Sequence, residues 1–364
     1  MHDLVTSFYA KNYKAIKVEF LALQSDQNLK EQLPKKTNLL FAPSSLQTSR
    51  LSAQKAPSSV VGHLPSSLQR LQPTPILLDS NLIEVNAPLV QKTQTSSLDS
   101  WSDIEDFALK AKAYVTQPVI FAGKRPETLL DILTAMTESL SGPSACLEAS
   151  DKIKEFFQPE NGKSPIPQEI ASLITSLSQS PQDPLYASIY MLRRFYQLKL
   201  IKAEVFNMTE KDLLVFMQTG SAALAFLPLS SHRKASPKDM ETWQSLPRAC
   251  GNDGTSVPYY PSARKDSNRN LTASFLSVFP MSSKKDIDDL LDFLLEDFAQ
   301  ENLCRSTGLV PASKSCNSPD VQSSDARWWF AVTGTPILSL SQSAFMTDSD
   351  REMFAHELIK FIKN

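Results

Sequence analysis

The stretch FMQTGSAALAFLP, residues 216–228, decides the fold of this chain. Upstream of it, Thr209 and Asp212 have the spacing of a capping box, in which each side chain binds the backbone N–H of the other residue, so a helix is predicted to begin there. Gly220 stands where a glycine commonly follows the last helical turn. The small and apolar residues after it predict a buried strand. The stretch therefore predicts a helix, a tight turn and a core strand in direct succession.

Strand and helix patterns alternate on both sides of this junction. Alternating or continuous apolar runs predict strands at 16–23, 37–43, 75–86, 118–123 and 271–283. Apolar residues at helical spacing predict helices at 3–13, 100–114, 126–140, within 151–200, at 286–300 and at 350–364. Such alternation is the signature of an α/β protein. The Ser-, Gln- and Pro-rich residues 44–72 and the polar residues 232–270 are predicted to be irregular surface segments.

Two further helix starts carry a capping pattern. Ser102 with Glu105 predicts the start of the helix within 100–114, and Ser283 with Asp286 predicts the start of the later one. In that later helix an apolar stripe is predicted to face the core, formed by Ile287, Leu290, Leu291, Leu294, Leu295 and Phe298. The aspartates opposite the stripe are predicted to form a solvated face rather than a metal or catalytic site; they are Asp288, Asp289 and Asp292.

The charge balance limits the partners of the chain. Its 364 residues include 37 basic and 39 acidic side chains, so the net charge is −2 and nothing indicates binding to nucleic acid or to an anionic membrane. No run reaches the ~18 consecutive apolar residues of a membrane helix. The opening MHDLVTSFYAKNYK also lacks the apolar region of a signal peptide. With 9 glycines, the chain contains no phosphate-binding glycine motif.

No metal site, cofactor or catalytic site is predicted. The cysteines and histidines are scattered, without the spacings of a zinc site; they are Cys146, Cys250, Cys304, Cys316, His2, His63, His232 and His356. No nucleophile elbow, HExxH or Cys/His arrangement is present, so the chain is predicted not to be an enzyme. Cys304 and Cys316 are close enough in sequence to be bridged, and the sequence leaves the free and paired states open.

Three phrases in order along the chain carry a family resemblance. FMQTGSAALAFLPLSSH matches a phrase of the form F-x-x-G-x-A-A-M at Phe216, Gly220, Ala222 and Ala223, with Leu224 in place of methionine. SWSDIEDFALKAKAY resembles a threonine-tryptophan-acidic helix opening, and LSVFPMSSKKDIDDLLDFLLEDFAQENLCRSTGLVP resembles a strand, a long helix and a Gly-x-x-Pro turn. Together they resemble the bacterial extracellular solute-binding proteins of ABC importers, in the carbohydrate-binding group that includes maltose-binding protein.

The resemblance implies an architecture over nearly the whole chain. It implies a two-lobe, periplasmic-binding-protein-like α/β fold, in which each lobe is a mixed sheet flanked by helices. Lobe one would comprise 1–82 and 277–313, and lobe two 87–271 and 316–364. The segments 82–87, 271–277 and 313–316 would then be hinge crossings, and a solute would be captured in the cleft between the lobes.

The resemblance also implies a function without chemistry. The chain would capture a small extracellular solute, a sugar or sugar-like molecule, and deliver it to ABC permease subunits in the membrane. It would be a monomer in the periplasm or another extracytoplasmic space, anchored as a lipoprotein through a signal that this chain does not include. The alternative is a solute-binding fold that has lost ligand binding and serves as a structural or interaction protein of the envelope.

Candidate ligand contacts follow from the same resemblance. An aromatic residue that stacks on a sugar ring is expected shortly after Ala223, but Pro228, Leu229, Ser230 and Ser231 stand there, a departure that motivates the alternative. The positions implied to face the solute are Ser44, Ser45, Arg125, Ser230, His232, Trp328 and Trp329. Because adjacent tryptophans point in different directions, at least one of the two is expected in the core.

Overall fold

Strands and helices alternate along the described chain, which comprises residues 2–11, 29–51, 53–158, 165–235, 242–250, 255–258, 272–316 and 336–364 of a computed structural model. The strands are β1 Leu39–Pro43, β2 Thr74–Asp79, β3 Asn81–Asn86, β4 Gln117–Phe121, β5 Ala222–Pro228, β6 Trp243–Ser245, β7 Pro247–Cys250, β8 Thr255–Pro258, β9 Thr272–Pro280, β10 Val310–Pro311 and β11 Ile337–Leu338. The predicted strand at 16–23 lies outside the described residues.

The helices fill the intervals between the strands. They are α1 His2–Lys11, α2 Leu29–Gln32, α3 Leu46–Ser49, α4 Ser58–Gly62, α5 Ala87–Lys92, α6 Trp101–Ala111, α7 Pro126–Ser141, α8 Pro143–Phe156, α9 Pro167–Ser176, α10 Tyr186–Gln197, a 3₁₀ helix Ala203–Asn207, α11 Glu210–Gln218, α12 Leu229–Lys234, α13 Lys285–Leu295, α14 Asp297–Thr307, α15 Leu340–Ser343 and α16 Asp348–Lys363.

The chain divides into two units. One comprises Met1–Asp79 with Ser274–Pro336, and the other comprises Ser80–Ala273 with Ile337–Asn364. The chain therefore passes from one unit to the other after Asp79, after Ala273 and after Pro336. The lobe bounds and hinge crossings given by the sequence stay a prediction.

Each unit has its own sheet and its own packing of helices. In the first unit β9 lies between β1 and β2, antiparallel to both, and β10 continues beyond β2. In the second unit the order is β4-β5-β3-β6, with β4 parallel to β5 and β3 antiparallel to both of its neighbours. A short parallel pair also joins β11 to the first two residues of β9. The predicted α/β class, with mixed sheets flanked by helices, is confirmed.

The junction at 216–228 folds as its pattern predicts. Thr209 and Asp212 cap α11 reciprocally, with 3.2 Å from the Asp212 N–H to Thr209 Oγ1 and 2.9 Å from the Thr209 N–H to Asp212 Oδ2. The chain then turns at Gly220, whose φ of +63° lies in the left-handed region that other residues resist. From Ala222 to Ala225 every residue of β5 is 0% exposed, because the strand lies between β3 and β4.

The predicted cap of α6 is two residues out of place. The capping box joins Ser100 and Asp103 instead of Ser102 and Glu105, with 3.1 Å from the Asp103 N–H to Ser100 Oγ. Trp101 is consequently the first helical residue; it is 4% exposed and donates from Nε1 to Ser139 Oγ at 3.0 Å. Ser100 and Ser102 both offer the local capping pattern, but the start at Ser100 places the large Trp101 side chain in the core.

The predicted long helix at 286–300 is in fact two helices. The N-cap of α13 is Lys284 without a side-chain cap, and Ser283 instead donates to Gln54 Oε1, so the predicted Ser283–Asp286 cap is wrong. Glu296 is extended at φ −69° and ψ 154°, which ends α13 and resets the helical phase in α14. Phe298 is therefore 65% exposed, while the other five residues of the predicted stripe are buried.

Two segments predicted as irregular surface contain regular structure. Within 44–72 the helices α3 and α4 form, and five apolar residues are buried: Leu46, Leu51, Val60, Leu64 and Leu68. Within 232–270 the described residues include β6, which pairs with β3, and the antiparallel pair of β7 and β8. Both predictions relied on polar composition, which concealed the buried leucines of the first segment and the short strands of the second.

Candidate functional site

Several strand ends of the second unit's sheet lie at the same edge. Because β4 and β5 are parallel, their carboxyl ends lie at the same edge. Because β3 is antiparallel to β5, with Asn81 opposite Pro228, the start of β3 lies there too. Ligands of open α/β sheets bind outside the carboxyl ends of the strands. The segments that follow β4 and β5, residues 122–125 and 229–232, are therefore the place to look for ligand contacts.

The turn after β4 is held rigidly and carries Arg125. The Lys124 N–H donates to the Met208 carbonyl oxygen at 3.0 Å. A Cβ added at Gly123 would lie 2.6 Å from the Val205 carbonyl oxygen, so only glycine permits this close approach. Arg125 forms the N-cap of α7, and its side chain is 66% exposed, with Nε 3.8 Å from Glu127 Oε2. An exposed pair of this kind contributes little to stability and leaves the guanidinium available to solvent.

The segment after β5 folds into the short helix α12 and contacts neighbouring elements at three positions. The Leu229 N–H donates to the Ser80 carbonyl oxygen at 2.8 Å. Ser231 Oγ donates to Glu210 Oε1, on the first residue of α11, at 2.7 Å. His232 Nδ1 lies 2.9 Å from Glu84 Oε1. Ser230 and Ser231 are 7% and 4% exposed, so this turn presents little hydroxyl surface.

Glu84 is a functional candidate that sequence reasoning missed. It lies in the middle of β3, is 0% exposed, and sits in register with Ala225 of β5 and Ser245 of β6. A buried carboxylate is costly unless a partner compensates for its lost hydration, and His232 provides that partner. The available signal was the acidic residue between Ile83 and Val85 in an otherwise apolar strand, NLIEVN.

The predicted contacts in the first unit form part of its internal hydrogen bonding. Ser44 follows β1 and is 5% exposed; its Oγ lies 2.7 Å from Ser277 Oγ, and its N–H donates to the Phe275 carbonyl oxygen at 2.8 Å. Ser45 is the N-cap of α3 and accepts the Thr48 N–H at 3.1 Å. The structure thus gives both serines local roles, and their contact with a solute stays a prediction.

The structure brings some of the predicted residues together and leaves others undescribed. Arg125, Ser230 and His232 share the strand-end edge of the second unit, whereas Ser44 and Ser45 belong to the first unit. Trp328 and Trp329 lie outside the described residues.

The described ranges contain neither a metal-binding cluster nor a membrane-spanning helix. No group of three or more His, Cys, Asp or Glu side chains is placed to hold a metal ion there. No helix among the same residues is both long and apolar enough to cross a bilayer. Cys146, Cys304 and Cys316 are buried and not disulfide-bonded, so the Cys304–Cys316 bridge that the sequence left open is not formed. Burial, followed by the nearby Glu138 carboxylate, raises the pKa of the Cys146 thiol.

The comparisons identify the fold. No protein-family description matches the sequence, and no curated protein matches it. Among solved structures, a chitin oligosaccharide binding protein is 12% identical and matches over 100% of this chain and 92% of its own, with a TM-score of 0.62. The bacterial solute receptor AcbH, described as having an exclusive preference for β-D-galactopyranose, is 11% identical over 100% and 91%, with a TM-score of 0.65.

A third neighbour agrees with these two. Maltose-bound MalE3 of T. maritima is 14% identical over 98% of this chain and 87% of its own, with a TM-score of 0.52. At such identities the likeness concerns the fold alone. The chain therefore has the fold of carbohydrate solute-binding proteins, as its sequence phrases predicted.

Proposed function

We propose that this chain is an extracytoplasmic receptor that captures a small solute, a sugar or sugar-like molecule, for an ABC importer. The observation that carries the proposal is the fold likeness over 100% of this chain to a chitin oligosaccharide binding protein and to a receptor for galactopyranose. Such a receptor binds its solute without changing it chemically. Its affinity reflects how much the solute favours the closed state of the two lobes over the open one.

The polar residues at the strand ends suit a hydroxylated solute. A sugar hydroxyl both donates and accepts hydrogen bonds, so it needs partners of both kinds. Arg125 supplies donors only, whereas His232 and the hydroxyl of Ser230 supply either a donor or an acceptor. We propose Arg125, Ser230 and His232 as contacts from the second unit, with Ser44, Ser45, Trp328 and Trp329 as further contacts implied by the resemblance.

The partner and location follow from the same proposal. The receptor would deliver its solute to permease subunits in the membrane and act outside the cytoplasm. Another neighbour, at 10% identity and a TM-score of 0.57, is a probable secreted solute-binding lipoprotein from Streptomyces coelicolor, which supports this location.

A second candidate function is a solute-binding fold without a solute. The supporting observation is the turn after β5, where Pro228 to Ser231 replace the expected aromatic residue and the two serines are 7% and 4% exposed. A sugar ring gains much of its affinity from an aromatic face. A chain without that contact would serve as a structural or interaction protein of the cell envelope.

Thermal unfolding in the presence of sugars separates the two candidates. The panel comprises galactose, maltose, raffinose and chitin oligosaccharides, together with monosaccharides that differ at single hydroxyls. A solute at 100 times its Kd adds about 2.7 kcal/mol of stability, or roughly 5–10 °C in Tm for a unit of this size. A shift with one sugar class supports the receptor, and an unchanged Tm across the panel at millimolar concentrations contradicts it.

A matched pair of arginine variants tests the location of the site. Arg125→Ala is expected to weaken binding of the sugar found in the panel by about tenfold or more, because a hydrogen bond from a charged group is worth about 1.5–3 kcal/mol. Arg305→Ala is the control, since Arg305 is 73% exposed and its Nη2 lies 3.7 Å from Glu301, much as Arg125 pairs with Glu127. Equal Kd values for the two variants, measured by calorimetry, would remove Arg125 from the site.

A further inference from the structure

The first turn of α11 lies at the same edge of the second unit's sheet as the turns after β4 and β5. The helix packs on both of these strands and leads through Gly220 into β5, so it begins near the carboxyl end of that strand. The Lys124 N–H of the turn after β4 donates to the Met208 carbonyl oxygen at 3.0 Å. Ser231 Oγ of α12 donates to Glu210 Oε1 at 2.7 Å. Residues 208–210 thus connect the two turns.

The Glu210 carboxylate is engaged through one of its two oxygens. Glu210 is the first residue of α11 and is partly exposed, and Ser231 holds its Oε1. Within the described ranges its other oxygen, Oε2, accepts no hydrogen bond and forms no ion pair. An ionised carboxylate has about four acceptor positions and no donor. A carboxylate that is held on one side and open on the other suits a ligand that donates hydrogen bonds.

Holding the local structure together does not require this carboxylate. Thr209 and Asp212 already cap α11 reciprocally, so the start of the helix does not depend on Glu210. The backbone N–H of Leu229 independently attaches α12 to the start of β3. What Glu210 adds at this edge is an acceptor, whereas Arg125 supplies donors only.

We infer that Glu210 is a specificity-determining residue of the proposed site, whose Oε2 accepts a hydrogen bond from one hydroxyl of the solute. The inference rests on the proposed function. A hydrogen bond to a charged group is roughly twice as strong as a neutral one, so this hydroxyl would be strictly required. Arg125 would donate to a hydroxyl oxygen, and the two side chains together would recognise a solute by both a donor and an acceptor.

Fluorinated analogues of a sugar test this assignment. The probe is whichever of galactose, maltose, raffinose and chitin oligosaccharides raises Tm, with each hydroxyl replaced in turn by fluorine, which donates no hydrogen bond. Calorimetry measures the Kd of each analogue. For the wild type, one analogue is expected to bind about tenfold more weakly or worse than the parent sugar. Glu210→Met removes the acceptor at similar volume and is expected to abolish that penalty, whereas Glu210→Gln keeps a neutral acceptor and is expected to retain part of it.

Two variants provide the controls. Ser231→Ala removes the hydrogen bond to Oε1 but keeps the carboxylate, so it is expected to retain the penalty of the wild type. Asp297→Asn is the matched substitution elsewhere. Asp297 is likewise the first residue of a helix, α14, and accepts a hydrogen bond from Ser315 Oγ at 3.0 Å, but it belongs to the first unit. This variant is expected to bind every analogue as the wild type does.

The possible results separate Glu210 from the receptor itself. A panel sugar whose analogues show the same penalties in wild type and Glu210→Met would overturn the role of Glu210 and leave the receptor standing. If Glu210→Met does not fold, an undiminished penalty in Glu210→Gln has the same meaning. A penalty lost equally in Ser231→Ala or Asp297→Asn would show that the effect is structural, which also overturns the inference. A panel without any response rejects the receptor and the inference together.

Discussion

Replacing Gly123 with alanine tests how tightly the turn after β4 is built. The added Cβ would lie 2.6 Å from the Val205 carbonyl oxygen and 2.8 Å from both Phe206 Cα and Phe121 Cε2. Ordinary contacts begin near 3.4 Å, so the turn and the 3₁₀ helix Ala203–Asn207 must separate by about 0.8 Å, the difference between 3.4 and 2.6. Two of the three obstacles are backbone atoms, which a change of rotamer does not relieve.

The expected loss of stability follows from this overlap. Overpacking of a well-filled site costs about 1–3 kcal/mol, which corresponds to a fall in Tm of roughly 2–12 °C for a unit of this size. Differential scanning calorimetry of wild type and variant measures it. Because the Lys124 N–H binds the Met208 carbonyl oxygen, the shift should also displace Arg125 and weaken the binding of any solute that contacts it.

Gly62 provides the matched control for this experiment. A Cβ at Gly62 meets no atom within 4 Å, and the residue lies in α4. Gly62→Ala is therefore expected to keep or raise Tm, since alanine in a helix is favoured over glycine by roughly 0.5–1 kcal/mol. A Gly123→Ala protein that melts with the wild type would refute the reasoning, because it would mean that the turn yields without cost.

Four further substitutions address the local structure. Gly220→Ala should cost about 1–2 kcal/mol in urea unfolding through its positive φ alone, since the nearest atom to its Cβ is 3.9 Å away; an unchanged midpoint would contradict this. Hydrogen bonds from Ser100 lower the pKa of Asp103, so the carboxylate stabilises the fold above the ordinary aspartate pKa and loses this effect as pH falls through the lowered value. The difference in urea midpoint between wild type and Asp103→Asn should therefore disappear in acid. A difference that persists there would show that the ionised Asp103 side chain does not stabilise the cap. Phe298 is 65% exposed, so Phe298→Ser should change the free energy of unfolding by less than about 0.5 kcal/mol. Leu294 is 0% exposed, so Leu294→Ala should cost about 2–5 kcal/mol. Similar losses for the two variants would contradict the helix break at Glu296.

The fold could be predicted where local and tertiary preferences agree. At Thr209, Asp212 and Gly220 the cap, the turn residue and the apolar period all indicate the same boundaries, and the structure has them. At Ser100 and Ser102 two capping patterns compete, and the burial of Trp101, which sequence does not display, decides between them. Tertiary packing therefore determined the boundaries that the local pattern left ambiguous.

The candidate site was harder to predict because its parts are distant in sequence. Arg125 and His232 were found from their positions just after strands, and the parallel pairing of β4 and β5 places both segments at one edge. Glu84 was missed because its partner is far along the chain and becomes adjacent only through the β3–β5 register. A polar residue in an apolar strand signals such a contact but does not name its partner.

The chemistry of this edge bears on the choice between a receptor and a fold without a solute. A chain that had lost its solute would gain nothing from a buried carboxylate, because an apolar side chain in β3 would avoid the cost of desolvating the charge. In this chain the buried carboxylate of Glu84 is retained beside His232, whose side chain is 17% exposed. The turn that carries His232 is already held by hydrogen bonds from Ser231 and Leu229. The missing aromatic residue removes a stacking surface from this turn, but it leaves the partly exposed imidazole of His232 and the donors of Arg125. Directional hydrogen bonding, more than stacking, is therefore what the second unit would bring to a solute.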